Sequence, residues 1–317
     1  MKRVFTFTLC IFLLVPFFSG CSSKPLTVRI AGVMNSPYAQ LSHMLENNSE
    51  GTIYDSTSVN LPNRIRTIMS EGECDVAVVP LETACSIYNR AYPEVKILAG
   101  ISVGGFELIS TEEIKDISKL KDKTIYLTER NTLMESVLEY LLKFYKVDMY
   151  YDVTFEYVES IETLQKSFED KTASFTLLNS AEAAQIKAEV DNINTYNITD
   201  ELAKKFKKPS IITYCVIGTT EFIDKNPETV EKLLKDIEAS ISKSDDFENT
   251  IKLAKKHSIL TDDIYDKNFL SELKLDFISG DEMQKKLTAY FKLIKKIKPS
   301  MVNNIINKDN LFYIPEK

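Results

Sequence analysis

Arg130 is the residue whose type and position most directly suggest ligand binding in this sequence. It is the only arginine after residue 90, and it stands within residues 128–132, where a strand is expected to give way to a helix. Its planar guanidinium can hold a carboxylate, a sulfonate or a phosphate through two parallel hydrogen bonds. Two alternatives stay open: a surface ion pair with Glu129 or Glu135, and a site in which Glu129 selects a cationic ligand.

Other candidate residues follow the ends of predicted strands, because ligands of open α/β sheets bind beyond the carboxyl ends of the strands. Loops that lead into helices also offer free N–H groups to an anion. Tyr214 adds a ring for stacking, Asn179 a donor and an acceptor, and Gly104 a close backbone approach. For each Ser or Thr, a plain helix cap is the alternative. The candidate ligand-binding residues are Met34, Asn35, Ser36, Tyr38, Ser56, Thr57, Pro80, Leu81, Glu82, Thr83, Gly104, Thr128, Arg130, Asn131, Thr132, Asn179, Ser180 and Tyr214.

Residues for metal or nucleophilic chemistry are scarce. His43 and His257 are the two histidines, which leaves few ways to build a zinc site or a histidine-based triad. We therefore predict no catalytic residue, no metal site and no cofactor. Cys74, Cys85 and Cys215 have no CxxC spacing. A disulfide between Cys74 and Cys85 and separate buried thiols both stay open.

The composition is that of a folded, acidic protein. The 317 residues suit two modest domains or one large one. Hydrophobic residues at 44% and charged residues at 27% are close to globular averages, which excludes a disordered or collagen-like chain. A net charge of −7 argues against nucleic acid as a partner, since binding to phosphates needs a basic surface.

The first 20 residues are typical of a secretory signal. Lys2 and Arg3 precede an apolar run over residues 4–18, and Ser-Gly-Cys follows. A membrane anchor helix is the alternative, although the run is shorter than the roughly 20 residues that span a bilayer. Cys21 after Ser-Gly resembles a bacterial lipobox, with Phe18 in place of the usual Leu. We expect cleavage before Cys21, lipidation with palmitate-type chains and a mature net charge of −9 once Lys2 and Arg3 are removed.

After residue 25 the sequence alternates between strand and helix patterns, which indicates βαβ units in a doubly wound sheet. The run 75–80 is almost continuously apolar, as in a strand buried on both faces. From residue 219 onwards the pattern is almost entirely helical. Strands are predicted at residues 26–31, 52–56, 75–80, 95–102, 124–128, 153–158, 173–178, 193–198 and 211–218. Helices are predicted from Ser36-Pro37 onwards and at residues 61–69, 82–89, 132–145, 161–168, 180–190, 227–242, 246–257 and 281–297.

Two α/β units followed by a helical tail predict two lobes. The simplest arrangement inserts the second unit into the first. Residues 21–111 together with 215–317 would form lobe I, and residues 112–214 would form lobe II. The two crossings would then act as a hinge, with the ligand cleft between the lobes.

Several short motifs, in this order and spacing, resemble one bacterial family. Val28 to Gly32 is the first, and Glu73 to Pro80 is similar to G-x-x-D-I-A-x-x-P. Leu120 to Leu127 is similar to L-K-G-K-T-I with Asp122 at the glycine, and Glu221 to Glu228 is similar to E-F-x-x-x-x-P-E; Leu311-Phe312-Tyr313 is similar to a C-terminal F-Y. Over nearly the whole mature chain, the sequence resembles ABC-transporter solute-binding lipoproteins of the nitrate/sulfonate/taurine type, which share their fold with binders of thiamine pyrimidine precursors.

The resemblance implies a type II periplasmic-binding-protein-like fold of class α/β, with two lobes that are each a doubly wound mixed sheet. It also implies that the chain is not an enzyme. It implies an exported, lipid-anchored monomer that closes its lobes on a small anionic or heteroaromatic solute and delivers it to an ABC permease in the membrane. Residues 179–182 depart from the Glu-Pro that many relatives carry there.

Two other functions stay open. An enzyme on the same scaffold could act on a precursor of menaquinone or thiamine, and Glu82 and Glu129 would be its candidate bases. The precursor synthases related to this fold carry a cysteine-rich motif and a histidine ligand, and this sequence has neither. An adhesin or sensory module that binds a ligand without transporting it is the third reading.

Overall fold

The computed structural model describes residues 25–46, 51–90, 94–103, 105–206, 211–261, 267–272, 275–305 and 309–315. The predicted signal segment, Cys21 and Gly104 lie outside the described residues. Within the described residues, no helix combines the length and the apolar character that a membrane crossing requires.

The strands are β1 Leu26–Val33, β2 Thr52–Val59, β3 Val76–Pro80, β4 Val95–Val103, β5 Phe106–Ser110, β6 Lys123–Leu127, β7 Val153–Tyr157, β8 Phe175–Asn179, β9 Asn194–Asn197, β10 Ile212–Thr219 and β11 Leu275–Ser279. The α-helices are α1 Ser42–Glu46, α2 Pro62–Ser70, α3 Leu81–Asn89, α4 Leu133–Phe144, α5 Ile161–Glu169, α6 Ser180–Glu189, α7 Ile198–Lys205, α8 Thr220–Lys225, α9 Pro227–Lys243, α10 Phe247–Lys256, α11 Lys267–Glu272, α12 Gly280–Ile297 and α13 Pro299–Val302. Short 3-10 helices cover Pro37–Leu41, Ile117–Leu120 and Asp309–Leu311.

Two mixed sheets organise the described part of the chain. The first has the order β11-β4-β10-β3-β1-β2 and the second the order β7-β6-β8-β5-β9. In the first sheet β1 pairs in parallel with β2 and β3, and β10 lies antiparallel against β3 and β4. In the second, β6 pairs in parallel with β7 and β8, and β5 lies antiparallel against β8 and β9. The two sheets therefore share one strand pattern, to which the first adds β11 at an edge.

The chain crosses between the sheets twice, and the strand pairing moves both crossings from their expected positions. The sequence predicts no strand at residues 106–110 and assigns them to lobe I, which ends at residue 111, but they form β5, which pairs with β8 and β9 in the second sheet. Strand β10 enters the first sheet from Ile212, so Ile212 to Tyr214 also belong there. The crossings therefore lie between β4 and β5 and between α7 and β10. Both boundaries shift because a strand belongs to the sheet that satisfies its backbone hydrogen bonds.

Most predicted elements are present, and the differences have local reasons. Strand β2 continues three residues past its predicted end, because it pairs in register with β1 along its full length. Strand β11 interrupts the tail that was expected to be helical, as an antiparallel edge strand on β4. The predicted helix after Ser36 begins as a 3-10 turn and becomes α-helical at Ser42, and the Ser36 hydroxyl caps it as expected.

The predicted apolar faces form the core. In α4 the side chains of Leu133, Val137, Leu138, Leu141 and Leu142 are all buried, as their spacing predicts. The same holds for Met283, Leu287, Phe291 and Ile294 of α12. The first four residues of β3 are fully buried, which confirms the expectation of a strand covered on both faces.

The sequence leaves open a disulfide between Cys74 and Cys85 or separate buried thiols, and the structure has separate thiols. Cys74, Cys85 and Cys215 are buried free thiols. Burial raises the pKa of each of them, to about 12 for Cys74. They behave as small apolar side chains of the core.

Gly32 lies where β1 passes the ring of Tyr38, and this contact leaves no space for a side chain. A Cβ atom added at Gly32 would lie 2.2 Å from two ring carbons of Tyr38, which is itself completely buried. At Gly105 an added Cβ would instead meet its nearest atoms at 3.4 Å, an ordinary contact.

We expect Gly32→Ala to lower the free energy of unfolding by about 2–3 kcal/mol, because the tyrosine ring must move within a packed core. Gly105→Ala, the matched control, should change it by less than about 1 kcal/mol. Urea unfolding followed by circular dichroism measures both values. Equal stability of the two variants would contradict the packing described for Tyr38.

Candidate functional site

A cavity of about 340 Å³ lies where the strand ends of the two sheets meet. The first sheet contributes Val33, Met34, Asn35, Asn60, Leu61, Pro62, Pro80, Leu81 and Glu82. The second contributes Thr128, Glu129, Thr132, Leu133, Met134, Ile161, Asn179, Glu182 and Gln185. The two crossing strands contribute Phe106, Ile212, Thr213 and Tyr214.

The strand topology explains why these segments converge. Strands β1, β2 and β3 run parallel, so their carboxyl ends share one edge of the first sheet. Strands β6 and β8 do the same in the second sheet. The strand that crosses into each sheet runs antiparallel and begins at that same edge: Phe106 pairs with Asn179, and Tyr214 pairs with Pro80. The cavity thus occupies the position that open α/β sheets offer to ligands.

Half of the predicted ligand-binding residues line this cavity. They are Met34, Asn35, Pro80, Leu81, Glu82, Thr128, Thr132, Asn179 and Tyr214. Thr83, Arg130 and Asn131 line an adjoining groove that shares part of its wall with the cavity. Glu82, Glu129 and Thr132 line both. Gly104 lies outside the described residues.

Tyr38, Ser36 and Ser56 do not line the cavity. Tyr38 is fully buried, and its hydroxyl lies 2.7 Å from the Ser56 hydroxyl. The Ser36 hydroxyl donates to the carbonyl of Val33 at 2.7 Å and accepts from the Tyr38 amide at 3.2 Å. The loop after β1 folds inward, because the Tyr38 ring fills the space that Gly32 leaves. These three residues stabilise the first lobe and cannot reach a ligand in the cavity.

Thr57 and Ser180 also differ from expectation. Thr57 is an exposed residue within β2, because this strand continues to Val59. The loop that reaches the cavity is therefore Asn60 to Pro62, which begins four residues beyond Ser56. The Ser180 hydroxyl donates to the carbonyl of Gly105 at 3.2 Å and so joins α6 to the chain at the first crossing.

Arg130 is held outside the cavity. Its guanidinium carbon lies 3.6 Å from the centre of the Tyr157 ring, a cation–π stack. It faces the adjoining groove, which has a volume of about 600 Å³ and is also lined by Arg64, Arg66 and Arg90. The anion-binding role expected for Arg130 in the cleft is therefore not supported by its position.

Glu82 and Lys298 join elements on the two sides of the cavity. Lys298 Nζ lies 2.5 Å from Glu82 Oε1 and also donates to the carbonyl oxygen of Asn131. Glu82 Oε2 accepts a hydrogen bond of 3.0 Å from the backbone N–H of Leu133, at the first turn of α4. A carboxylate at the start of α3 thus caps a helix of the other sheet. Glu82 and Lys298 both lie on the side of the first sheet, and their bonds to Leu133 and Asn131 reach the side of the second. We call the ion pair together with these two bonds the Glu82–Lys298 bridge.

Glu182 is a partly buried carboxyl group in the cavity wall. It forms a capping box with Asn179: the Asn179 side chain accepts from the Glu182 amide at 3.0 Å, and Glu182 Oε2 accepts from the Asn179 amide at 3.4 Å. Burial, with a further contribution from the charge of Glu129, raises the pKa of Glu182 to about 7. Burial and the charges of Glu182 and Glu129 also raise the pKa of Tyr214. The three side chains therefore share one electrostatic environment.

A family model described as NMT1/THI5 like matches residues 58–244, more than half of the chain. The chain belongs to the NMT1/THI5-like family. This confirms the resemblance to solute-binding proteins of the nitrate/sulfonate/taurine type that the sequence motifs indicate. No curated protein matches the chain in sequence.

Solved structures of bacterial transport proteins share the fold. An ABC transporter from Parabacteroides distasonis is 16% identical, with a TM-score of 0.74 over 92% of this chain and 99% of that one. The periplasmic aliphatic sulphonate-binding protein of Escherichia coli is 9% identical, with a TM-score of 0.71 over 93% and 94%. The alkanesulfonate-binding protein of Xanthomonas axonopodis pv. citri bound to MOPS is 11% identical, with a TM-score of 0.63 over 92% and 98%. The predicted two-lobed periplasmic-binding-protein fold is confirmed.

The sequence did not predict several residues that line the cavity. Phe106, Ile212 and Thr213 line it because they begin the crossing strands, and the incorrect boundary at residue 111 hid this role for Phe106. Glu182 could have been found, since Asn followed three residues later by Glu is a capping-box pattern at a helix start. Asn60 was not predicted, because β2 was expected to end at residue 56 and instead ends at Val59.

We expect Glu182→Gln to change how stability depends on pH. The pKa of the carboxyl rises from its usual 4.5 to about 7 on folding. The cost of ionising this group therefore does not lower the stability of the wild type below pH 4.5, grows as the pH rises, and is complete above pH 7. Gln cannot ionise and keeps an acceptor oxygen for the Asn179 amide. Relative to wild type, the variant should therefore gain about 3 kcal/mol in free energy of unfolding between pH 4.5 and pH 8.

Urea unfolding at a series of pH values measures this gain. Glu189→Gln is the matched control, because Glu189 ends the same helix and is exposed. Its difference from wild type should not vary with pH. A pH-independent difference for Glu182→Gln would show that this carboxyl group ionises as freely in the folded protein as in the unfolded one.

Proposed function

We propose that this protein is the solute-binding component of an ABC importer, which captures a small solute between its lobes and presents it to a permease. The observation that carries this proposal is the cavity formed jointly by strand ends of both sheets and by both crossing strands. A ligand in such a position contacts both lobes at once and can favour their closed arrangement. Family membership and the transport proteins that share the fold support the same function.

The two lobes follow from the strand pairing. We assign residues 25–103 and 212–315 to lobe I and residues 105–206 to lobe II, with the two crossings as the hinge. Within the Glu82–Lys298 bridge, the ion pair lies inside lobe I, whereas the bonds to the Leu133 amide and the Asn131 carbonyl reach lobe II. The complete bridge needs both lobes. It therefore forms only when the lobes are near each other.

The solute is small and contains a flat or apolar part. The cavity is at the lower end of the range of about 300–1,000 Å³ that is usual for ligand sites. Phe106 and Tyr214 give its wall aromatic character, and Met34 and Met134 add flexible apolar side chains. These residues support the heteroaromatic solute expected from the sequence better than the anionic one.

An enzyme on the same scaffold is the second candidate, and one observation favours it. A carboxyl group with a pKa of about 7 in a cleft, as in Glu182, is what a general acid or base requires. Of the two general bases named from the sequence, Glu82 is less suitable, because its carboxylate already contacts Lys298 and the Leu133 amide. A test of function must therefore show that the bound solute is unchanged.

We expect the purified protein to bind one class of small solute with one site per chain and to become more compact. Calorimetry against nitrate, sulfonates, dicarboxylates, pyrimidines and amines gives the affinity and the stoichiometry, and small-angle X-ray scattering gives the change in radius of gyration. Mass spectrometry should recover the solute unaltered after prolonged incubation. Chemical conversion of the solute would contradict the binding function and show that the protein is an enzyme.

Lys298→Met should weaken the affinity for that solute by about two- to fivefold, because the closed arrangement loses the hydrogen bond that Lys298 donates to the Asn131 carbonyl of lobe II. Lys295→Met is the control, since Lys295 is an exposed residue near the end of α12. Scattering should show a larger radius of gyration for Lys298→Met than for the control in the absence of solute. Identical curves would mean that the bridge does not hold the lobes together.

We also propose that the protein is exported and anchored to the cell membrane through a lipid on Cys21. Expression in bacteria fed labelled palmitate should give a labelled protein in the membrane fraction. Cys21→Ser should lose the label and the lipid-dependent retention in the membrane, because a serine hydroxyl cannot accept the thioether-linked diacylglycerol. Cys10→Ser, within the same predicted signal, is the control that should stay labelled. A Cys21→Ser protein that keeps its label would place the modification elsewhere.

A further inference from the structure

The charge of the cleft is opposite in sign to that expected for an anion-binding protein. Among the described residues that line the cavity, the charged side chains are Glu82, Glu129 and Glu182, and none is Lys, Arg or His. The charge of Glu82 is already balanced by Lys298. The described residues place no ion pair on Glu129 or Glu182. Among the described residues, the cavity therefore keeps Glu182 in its wall and Glu129 at its rim with no ion pair.

The positions of the two carboxyl groups favour a role towards a ligand. Glu182 is oriented by the capping box with Asn179, so turning its side chain away from the cavity would break its hydrogen bond with the Asn179 amide. Glu129 is exposed and follows β6 at the rim, where the cavity adjoins the groove that four arginines line, so Glu182 carries most of the argument. The nearest arginine along the chain, Arg130, is stacked on Tyr157 and faces the adjoining groove.

Aromatic rings in the same wall add an independent preference for positive charge. Phe106 and Tyr214 enter the cavity from the two crossing strands, one from each. The face of an aromatic ring attracts a cation through its quadrupole, and rings combined with carboxylates are suited to organic ammonium or amidinium groups. An inorganic cation would not use the apolar part of this wall.

We propose that the solute of this cleft is a small organic cation, with an ammonium or amidinium group directed to Glu182 and Glu129 and an apolar frame held by Phe106 and Tyr214. The proposal rests on the solute-binding function proposed above and specifies its ligand class. Glu182 is the specificity-determining residue, and Glu129 adds attraction at the rim. The adjoining groove, with four arginines, is the alternative site for an anion.

Two sets of isosteric probes separate charge from shape. The first is benzamidine, benzamide and benzoate; the second is choline, 3,3-dimethylbutanol and 3,3-dimethylbutanoate. Calorimetry with the full chain in non-ionic detergent at pH 8 should show, in at least one set, that the cation binds at least tenfold more tightly than its neutral and anionic partners.

Charge-neutral variants assign the preference to residues. Glu182→Gln should reduce the affinity for the cation by at least about tenfold and leave the affinity for the neutral probe within about twofold, since only the charged contact is lost. Glu129→Gln should reduce the affinity for the cation by only about two- to fivefold, because a charge contact with an exposed side chain is weak. Glu189→Gln, on the exposed end of the same helix, should bind all probes like wild type.

The possible failures are distinct. Tightest binding of an anionic or neutral probe, or a cation preference that survives Glu182→Gln, would overturn the cationic ligand while leaving solute binding intact. Anion binding that is lost in Arg130→Gln would assign the ligand to the arginine groove instead. Absence of binding by every probe at 10 mM (~2 orders of magnitude above a weak but specific Kd), together with no binding in the wider solute panel, would overturn the solute-binding function itself.

Discussion

The exchange of two strands between the sheets is the constraint on which the rest of the structure depends. Strand β5 enters the second sheet directly after β4 of the first, and β10 returns from the second sheet to lie between β3 and β4. Each inserted strand runs antiparallel to its neighbours and so begins at the edge where the parallel strands end. The strand ends of the two sheets must therefore face each other across the crossings. The cavity follows from this connectivity and needs no special loop.

The same connectivity decides which side chains a ligand meets. Phe106 and Tyr214 each lie near the start of an inserted strand, paired with Asn179 and Pro80 at the ends of β8 and β3. They are held by backbone pairing within a sheet, whereas most other lining residues belong to loops or first helical turns. The aromatic part of the wall is consequently the rigid part, and a change in ligand preference is easier to achieve at positions such as Glu129 and Thr132.

Much of this arrangement could be predicted from the sequence. Alternating strand and helix patterns, the buried run of β3 and the one-sided leucines of α4 indicate an α/β fold, and the rule on strand ends places the ligand region. The rest depends on tertiary pairing. Periodicity does not show that β5 belongs to the second sheet, or that β2 extends along all of β1. Nor does it show that Tyr38 fills the space above Gly32 and that Arg130 stacks on Tyr157, since these contacts join segments whose orientation is set only after folding.

The energetics of closure connect the bridge between the lobes with the charge of the cleft. The Glu82–Lys298 bridge reaches the second lobe through two hydrogen bonds, to the Leu133 amide and the Asn131 carbonyl, and a hydrogen bond of this kind contributes about 1 kcal/mol. A contact of this strength cannot hold the lobes closed by itself. Closure without a ligand also leaves the Glu182 carboxyl buried in the cavity wall with no ion pair among the described residues, which costs free energy when the group is ionised. With the proposed cationic solute, that cost would be offset while the solute adds its own contacts, and closure would then depend on the solute.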